Sequence, residues 1–256
     1  MTRPFPFDAR SRYYYYDAAV AGQRVTVALG GLVDPLSLSP FAWFDPSDIS
    51  TLFQDDGMTT PVTAADDPVG AVLDKSGNGH HLTQSTAGAR PLYKTSGSLR
   101  WLEFDGSNDI LSRAYGSALT QPWDRLSAWR RITDIADNDF LFGGNISIGS
   151  LYKRTSELRI YSGTELTGLT APADAADFIA TERHNGASSR VAIDAGTYNS
   201  GDAGSTNQET LHVGSDVSGQ VSNARFYGGI IFDRALTDDE IDQLRAYLAA
   251  KQGRSV

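Results

Sequence analysis

From Phe41 onward the chain alternates short apolar runs with turn residues at a spacing of roughly eight to fifteen positions, the pattern of an antiparallel sandwich or barrel. The runs Phe41–Phe44, Leu99–Phe104, Ile110–Ser112, Leu126–Ile132, Phe140–Phe142, Glu157–Tyr161, Phe178–Arg183, Arg190–Asp194, Leu211–Gly214 and Ala224–Phe232 predict strands. Asn185-Gly186, between two of them, predicts a two-residue hairpin, because both residues tolerate positive φ. No strand–helix–strand alternation appears, which argues against a parallel nucleotide-binding sheet. Only the end reads as helix, over residues 237–252: Thr237 and Glu240 form a capping box, Asp238 and Asp239 suit the helix dipole, and Ile241, Leu244 and Leu248 make one apolar stripe before Gly253 stops it.

Residues 1–39 differ in style. Pro4 and Pro6 favour extended backbone, the run Tyr13, Tyr14, Tyr15, Tyr16 has high strand propensity, and Gln23–Leu29 alternates polar residues with Val25 and Val27 before Gly30-Gly31. This stretch has too little apolar periodicity for a core of its own, so it reads as an extension that packs on the sandwich or on another protein. The expected division is an attachment segment over 1–39 and an all-β, antiparallel jelly-roll sandwich with its terminal helix over 40–256.

Composition narrows the function classes. A formal net charge of −9, with basic residues clustered only in pairs such as Arg130-Arg131 and Lys153-Arg154, speaks against a nucleic-acid partner. The absence of cysteine excludes disulfides, thiolate metal sites and cysteine nucleophiles. No stretch approaches the roughly 18 apolar residues of a membrane span, and the opening MTRPFPFDARSRYYYYD lacks the apolar core of a secretory signal.

Three motifs then carry a resemblance. Asp74-Lys75-Ser76-Gly77-Asn78-Gly79-His80-His81, Trp101-Leu102-Glu103-Phe104-Asp105-Gly106-Ser107-Asn108-Asp109 and Gly229-Ile230-Ile231-Phe232-Asp233-Arg234-Ala235-Leu236-Thr237 stand in the order seen in the concanavalin A-like lectin/glucanase superfamily, in its LamG-like form. Phe41-Ala42-Trp43-Phe44-Asp45 is similar to the family's first strand, and the ending Tyr247-Leu248-Ala249-Ala250-Lys251-Gln252-Gly253 resembles domains of bacteriophage virion proteins. The resemblance covers about Phe41 to Gly253 and implies a jelly roll. It also implies a setting in a phage particle, reached by assembly and not by a signal peptide; the fold itself is shared by lectins, hydrolases and adhesion modules.

Candidate chemistry is sparse. The family's hydrolytic branch carries a Glu-x-Asp-x-x-Glu strand motif that places paired acids on one face, and it is missing here; Asp238, Asp239, Glu240 and Asp242 sit where helix capping explains them. His80, His81, His184 and His212 show no nucleophile-elbow or zinc-ligand spacing. Two loops offer calcium-type oxygens, Asp74 with Asn78 and Asp105 with Asn108 and Asp109, and the same residues also suit turn locking. For sugar recognition the candidates are Trp123, placed after Pro122 in an expected loop, and Tyr198 with Asn199; Trp43, Trp101 and Trp129 fall in strands and read as core.

The expectation is a non-catalytic virion structural or receptor-binding protein with an exposed sandwich that contacts host glycans. Tyr13 to Tyr16 with Val25 and Val27 would join it to other virion proteins or to further copies of itself. No cofactor is called for beyond the calcium candidate. A free carbohydrate-binding lectin is the alternative, and a glucanase-like hydrolase stands behind both.

Overall fold

The architecture follows from how the strand faces are covered. A computed structural model describes residues 32–134, 138–145, 148–216 and 218–255, and the backbone of two further strands, β1 (Tyr13–Val20) and β2 (Gln23–Gly30). The chain divides into two compact units, Met1–Asp34 and Pro35–Val256. In the first, β1 and β2 pair antiparallel from Tyr13↔Gly30 to Val20↔Gln23.

The second unit is a sandwich of two antiparallel sheets. One contains β3 (Ala42–Phe44), β7 (Leu92–Ser96), β8 (Leu99–Asp105), β10 (Trp123–Thr133), β15 (Asp177–His184), β16 (Ser189–Ile193), β17 (Asn199–Gly201) and β19 (Asn223–Phe232). The facing sheet contains β4 (Leu52–Phe53), β5 (Ala71–Val72), β6 (Leu82–Thr83), β9 (Leu111–Leu119), β11 (Asn138–Gly143), β12 (Ser150–Arg154), β13 (Glu157–Tyr161), β14 (Glu165–Thr170) and β18 (Gln208–Val213). Their inner faces supply one core that includes Phe44, Phe104, Trp129, Phe142, Phe178 and Phe226.

The middle of the first sheet, β10, β15 and β19, is covered on both sides. Helix α1 (Asp238–Lys251) packs on β10, β15 and β19, burying Ile241, Leu244 and Leu248. Two-sided burial explains why β10 and β19 are almost continuously buried along their length, where a strand with one wet face alternates. The capping box is formed as the sequence predicts: the Thr237 side chain accepts from the Glu240 amide, and the Glu240 carboxylate accepts from the Thr237 amide. At the other end the Gln252 side-chain amide donates to the Trp129 and Phe178 carbonyls, which pins the helix terminus to β10 and β15.

Along one edge β19 pairs first with β8, from Asn223 to Phe226, and then with β3, from Gly229 to Ile231. Gly228 makes this exchange possible. Its φ is 153°, and a Cβ there would stand 3.1 Å from the Phe44 carbonyl oxygen.

The sheets are also joined by a polar clasp. The Arg125 guanidinium on β10 donates to both carboxylate oxygens of Glu182 on β15 (2.9 and 2.7 Å) and to the Gly149 carbonyl at the foot of β12 (3.0 Å). His184 Nδ1 meets Ser162 Oγ, just past β13, at 2.7 Å, while the Trp123 ring stacks on the imidazole at 3.9 Å. Arg125, Glu182 and His184 are wholly buried. Burial opposes the Glu182 charge, yet Arg125 holds that carboxyl below its ordinary value; burial pushes His184 down.

Several sequence expectations are corrected. Asn185-Gly186 lies in the β15–β16 hairpin, but the loop has four residues: the Ser189 hydroxyl accepts from the Asn185 amide and donates to the Gly186 carbonyl, which needs the longer connection. The strand expected over Ile110–Ser112 runs to Leu119. Pro35–Leu38, read with the N-terminal segment, forms a 3-10 turn in the second unit, where Arg234 donates to the Leu38 carbonyl. Strands β4 to β7, β12, β14 and β17 were not foreseen, because most are two to five residues long or polar on alternate positions.

Asp74 fixes the start of β3. Its Oδ1 accepts from the amides of Trp43 and Ser76 (both 2.9 Å), and its Oδ2 accepts from the Ser76 hydroxyl (2.7 Å) and the His80 amide (3.0 Å). Replacing Asp74 by Ala orphans these donors and lowers stability by at least about 1–3 kcal/mol, read as a drop in the denaturant midpoint. Leu244→Ala empties a fully buried site beneath α1 and costs about 2–5 kcal/mol in the same measurement; an unchanged midpoint would mean that the helix contributes nothing to the fold.

Candidate functional site

Helix α1 covers β10, β15 and β19 of one sheet, while the outer face of the other carries no described helix. Strand β13 shows this directly: Leu158 and Ile160 enter the core while Glu157, Arg159 and Tyr161 take the opposite face. Strand pairing sets three rows across that face, Asn138–Arg154–Glu157, Phe140–Tyr152–Arg159 and Ser150–Tyr161–Glu165. The rows form a groove of about 240 Å³ lined by Asn138, Phe140, Tyr152, Arg154, Tyr161, Glu165 and Gln220. Gln220 reaches it from the loop after β18, which is organised round Asp216: Oδ1 accepts from the amides of Ser218 and Gln220, both at 2.9 Å.

Phe140 and Tyr152 stack on each other, centroids 4.6 Å apart and 5° from parallel, and form the groove floor. Tyr161 lines the groove, is half-buried and has no ring partner among the described residues. Beside it lies a charged array. Glu165 Oε1 accepts from the Tyr152 hydroxyl (2.6 Å) and from Arg154 (2.9 Å), and Oε2 accepts from Arg159 (2.8 Å). Arg159 Nε also donates to Glu157 (3.0 Å).

The Tyr152 hydrogen bond, followed by the two guanidinium groups, holds Glu165 below the usual carboxylate range, and burial drives the Tyr152 phenol well above its own. An aromatic face, a carboxylate, guanidinium N–H groups and two amides suit the gripping of a polyhydroxylated ring by its C–H face and its hydroxyls.

The residues singled out from sequence lie elsewhere. Trp123 is not on a loop: it begins β10, is wholly buried, and stacks on His184, so solvent never meets its ring. Its position before an inward-facing Arg125 is what the sequence pattern concealed. Tyr198 and Asn199 sit at the edge strand β17 of the other sheet. The Arg190 guanidinium covers the Tyr198 ring at 4.0 Å, Arg245 donates to its hydroxyl at 3.1 Å, and Asn199 donates to the Thr167 carbonyl of β14 at 2.7 Å, closing one side of the sandwich. The side chains of Tyr13, Tyr14, Tyr15, Tyr16, Val25 and Val27 lie outside the described residues.

The calcium loops spend several of their oxygens on the chain itself. Asp74 already receives four protein donors, and Asn78 points its amide N–H at the Pro40 and Phe41 carbonyls. Asp105 Oδ1 caps the Ser107 and Asn108 amides, and Asp109 Oδ2 accepts from the Asp105 amide (2.9 Å). Burial pushes the Asp109 carboxyl up to about 6, with the Asp105 charge adding to it. Calcium wants six to eight free oxygens; among the described residues no three His, Asp or Glu side chains converge on a metal position.

What the sequence did not reveal was the groove. The alternation Glu157-x-Arg159-x-Tyr161 was visible, and so was Tyr152-x-Arg154, but their union required knowing that β12 pairs with β13 and that this face stays wet.

No family model matches the chain, and no curated protein matches it by sequence. Among solved structures it is similar to Trypanosoma rangeli sialidase, with a TM-score of 0.57 and 11% identity over 91% of this chain and 35% of that one. It is similar also to the binding domain of Paraclostridial Mosquitocidal Protein 1 (TM-score 0.54, 12% identity, 72% of this chain and 51% of that one). A third is the Botulinum Neurotoxin serotype G binding domain (TM-score 0.54, 9% identity, 70% and 49%). The chain thus spans between about a third and about a half of the length of these structures. At such identities the likeness carries the fold alone: this is an antiparallel β-sandwich with one C-terminal helix.

Proposed function

We propose that the protein is a non-catalytic, lectin-like binding module that holds a saccharide in the groove on the outer face of β11–β14. One observation supports this reading: Tyr161, with no ring partner among the described residues, lines a groove of about 240 Å³ together with the hydrogen-bonded Glu165 and Arg154. The hydrolase alternative finds little support there, since Glu165 and Glu157 are both bound to Arg159 and so do not form a free carboxylate pair.

In this reading the N-terminal hairpin attaches the module to a larger assembly, and the resemblance of the chain's opening and ending motifs favours a phage virion as that assembly. A two-stranded hairpin is marginal in water by itself, so β1 and β2 call for a packing partner. Its register sets Tyr14 opposite Leu29 and Tyr16 opposite Val27. No described helix is long and apolar enough to cross a membrane.

The glycan reading is tested by Tyr161→Ala. Loss of the ring face weakens binding to any glycan the wild type retains on an array by about tenfold or more, equivalent to 1.4 kcal/mol, with little change in the unfolding midpoint. Equal binding by the variant would place the ligand elsewhere. The attachment reading is tested by a fragment beginning at Pro35, which should fold and keep its glycan binding but fail to join assembled particles. If that fragment is insoluble while the full chain is a stable monomer, the hairpin serves this molecule's own fold.

A further inference from the structure

We propose that the groove selects uncharged saccharides and that Glu165 is the residue that sets this selectivity; the inference rests on the saccharide reading of the groove. Two guanidinium groups beside an aromatic ring are what a carboxylated or sulfated sugar would use, because planar N–H pairs match planar or tetrahedral oxyanions. Arg154 and Arg159 supply such a pair, yet both are already engaged. A single carboxylate takes Arg154 on Oε1 at 2.9 Å and Arg159 on Oε2 at 2.8 Å, and is steadied by the Tyr152 hydroxyl at 2.6 Å. Glu165 therefore occupies the place that the acid group of an anionic sugar would need.

The second acid completes the neutralisation. Glu157 Oε2 lies 3.0 Å from Arg159 Nε and 2.8 Å from its terminal nitrogen, so two positive and two negative groups cancel across these strands. An anionic ligand gains no net attraction, and to reach the arginines it must break their two hydrogen bonds to a carboxylate that stays close by. A neutral sugar breaks none. Its hydroxyls can donate to the remaining lone pair of Glu165, which is a third exposed, and accept from the spare N–H groups of Arg154, which is nearly half exposed. The amides of Asn138 and Gln220 face the same groove and both donate and accept.

Glu165→Gln keeps the side-chain shape and removes the charge, leaving Arg154 without a carboxylate partner. The experiment is binding of the full chain to immobilised neutral hexose- and N-acetylhexosamine-terminated oligosaccharides and to their sialylated and sulfated counterparts. The wild type should hold the neutral member of each pair at least about tenfold more tightly, and Glu165→Gln should narrow or reverse that preference by about tenfold. The gained binding of acidic sugars should weaken with added salt and disappear in the Glu165→Gln, Arg154→Gln double variant.

A wild type that prefers sialylated or sulfated sugars overturns the inference and leaves the saccharide reading standing. An unchanged preference in a folded Glu165→Gln protein removes Glu165 from the selective role. Binding of no glycan at all removes the saccharide reading, and this inference with it. The wild-type preference needs no variant, so the proposal stays open to failure even if Glu165→Gln does not fold.

Discussion

The rest of the structure depends on the central sheet's being covered twice. Strands β10 and β19 bury one face against the facing sheet and the other under α1, so nearly every side chain along them is removed from water. Burial of apolar area at about 25 cal/mol per Å² makes such a layer the most stabilising part of a sandwich. It also decides where function can sit. The strands beneath α1 offer no surface, whereas the opposite sheet, with no described helix over it, keeps a wet face in which polar and aromatic side chains can stand together.

That wet face is held in place from beneath. Arg125 reaches from β10 to the Gly149 carbonyl, where β12 starts, and His184 meets Ser162, where β13 has just ended. The two strands that present Tyr152, Arg154, Arg159 and Tyr161 are thus tied at one end to the doubly buried layer. A buried ion pair such as Arg125–Glu182 contributes little net stability against an apolar replacement, but losing one partner costs about 3–5 kcal/mol, so the pair penalises any arrangement that separates its members. At the far end, Arg131 with Asp139 and Asp174, together with Lys153 and Asp134, closes the sandwich in the same manner. The terminal helix adds its own ties, with Asp45 accepting from both the Tyr247 hydroxyl and Lys251 at 2.9 Å.

The charged residues of the groove serve two ends at once. Glu165 on β14 links Tyr152 and Arg154 of β12 to Arg159 of β13, and so stitches three strands near the edge of the sheet where backbone pairing ends. The same contacts present the groove's hydrogen-bonding groups in a fixed geometry, which spares a ligand part of the ordering cost of binding. Stability of the sheet edge and readiness for a ligand therefore share the same bonds.

The sequence by itself determined the local elements and the apolar face of each. Apolar runs such as Ala224–Phe232 and Glu157–Tyr161, the Thr237–Glu240 capping box and the Ile241, Leu244, Leu248 stripe are local signals, and each became the element its periodicity implies. The glucanase acid motif's absence was legible for the same reason, being a matter of near neighbours. Tertiary structure alone decided the rest. The groove joins Asn138, residues of β12 to β14 and Gln220, positions brought together by cross-strand pairing and by a loop far along the chain, and no local pattern encodes that union. Trp123 shows the reverse case: after Pro122 it reads as a loop residue, and only the pairing of β10 with β15 and β19 places it in the core beside His184. Periodicity tells a strand which face is apolar, whereas which polar face remains in water depends on where a helix more than seventy residues away comes to rest.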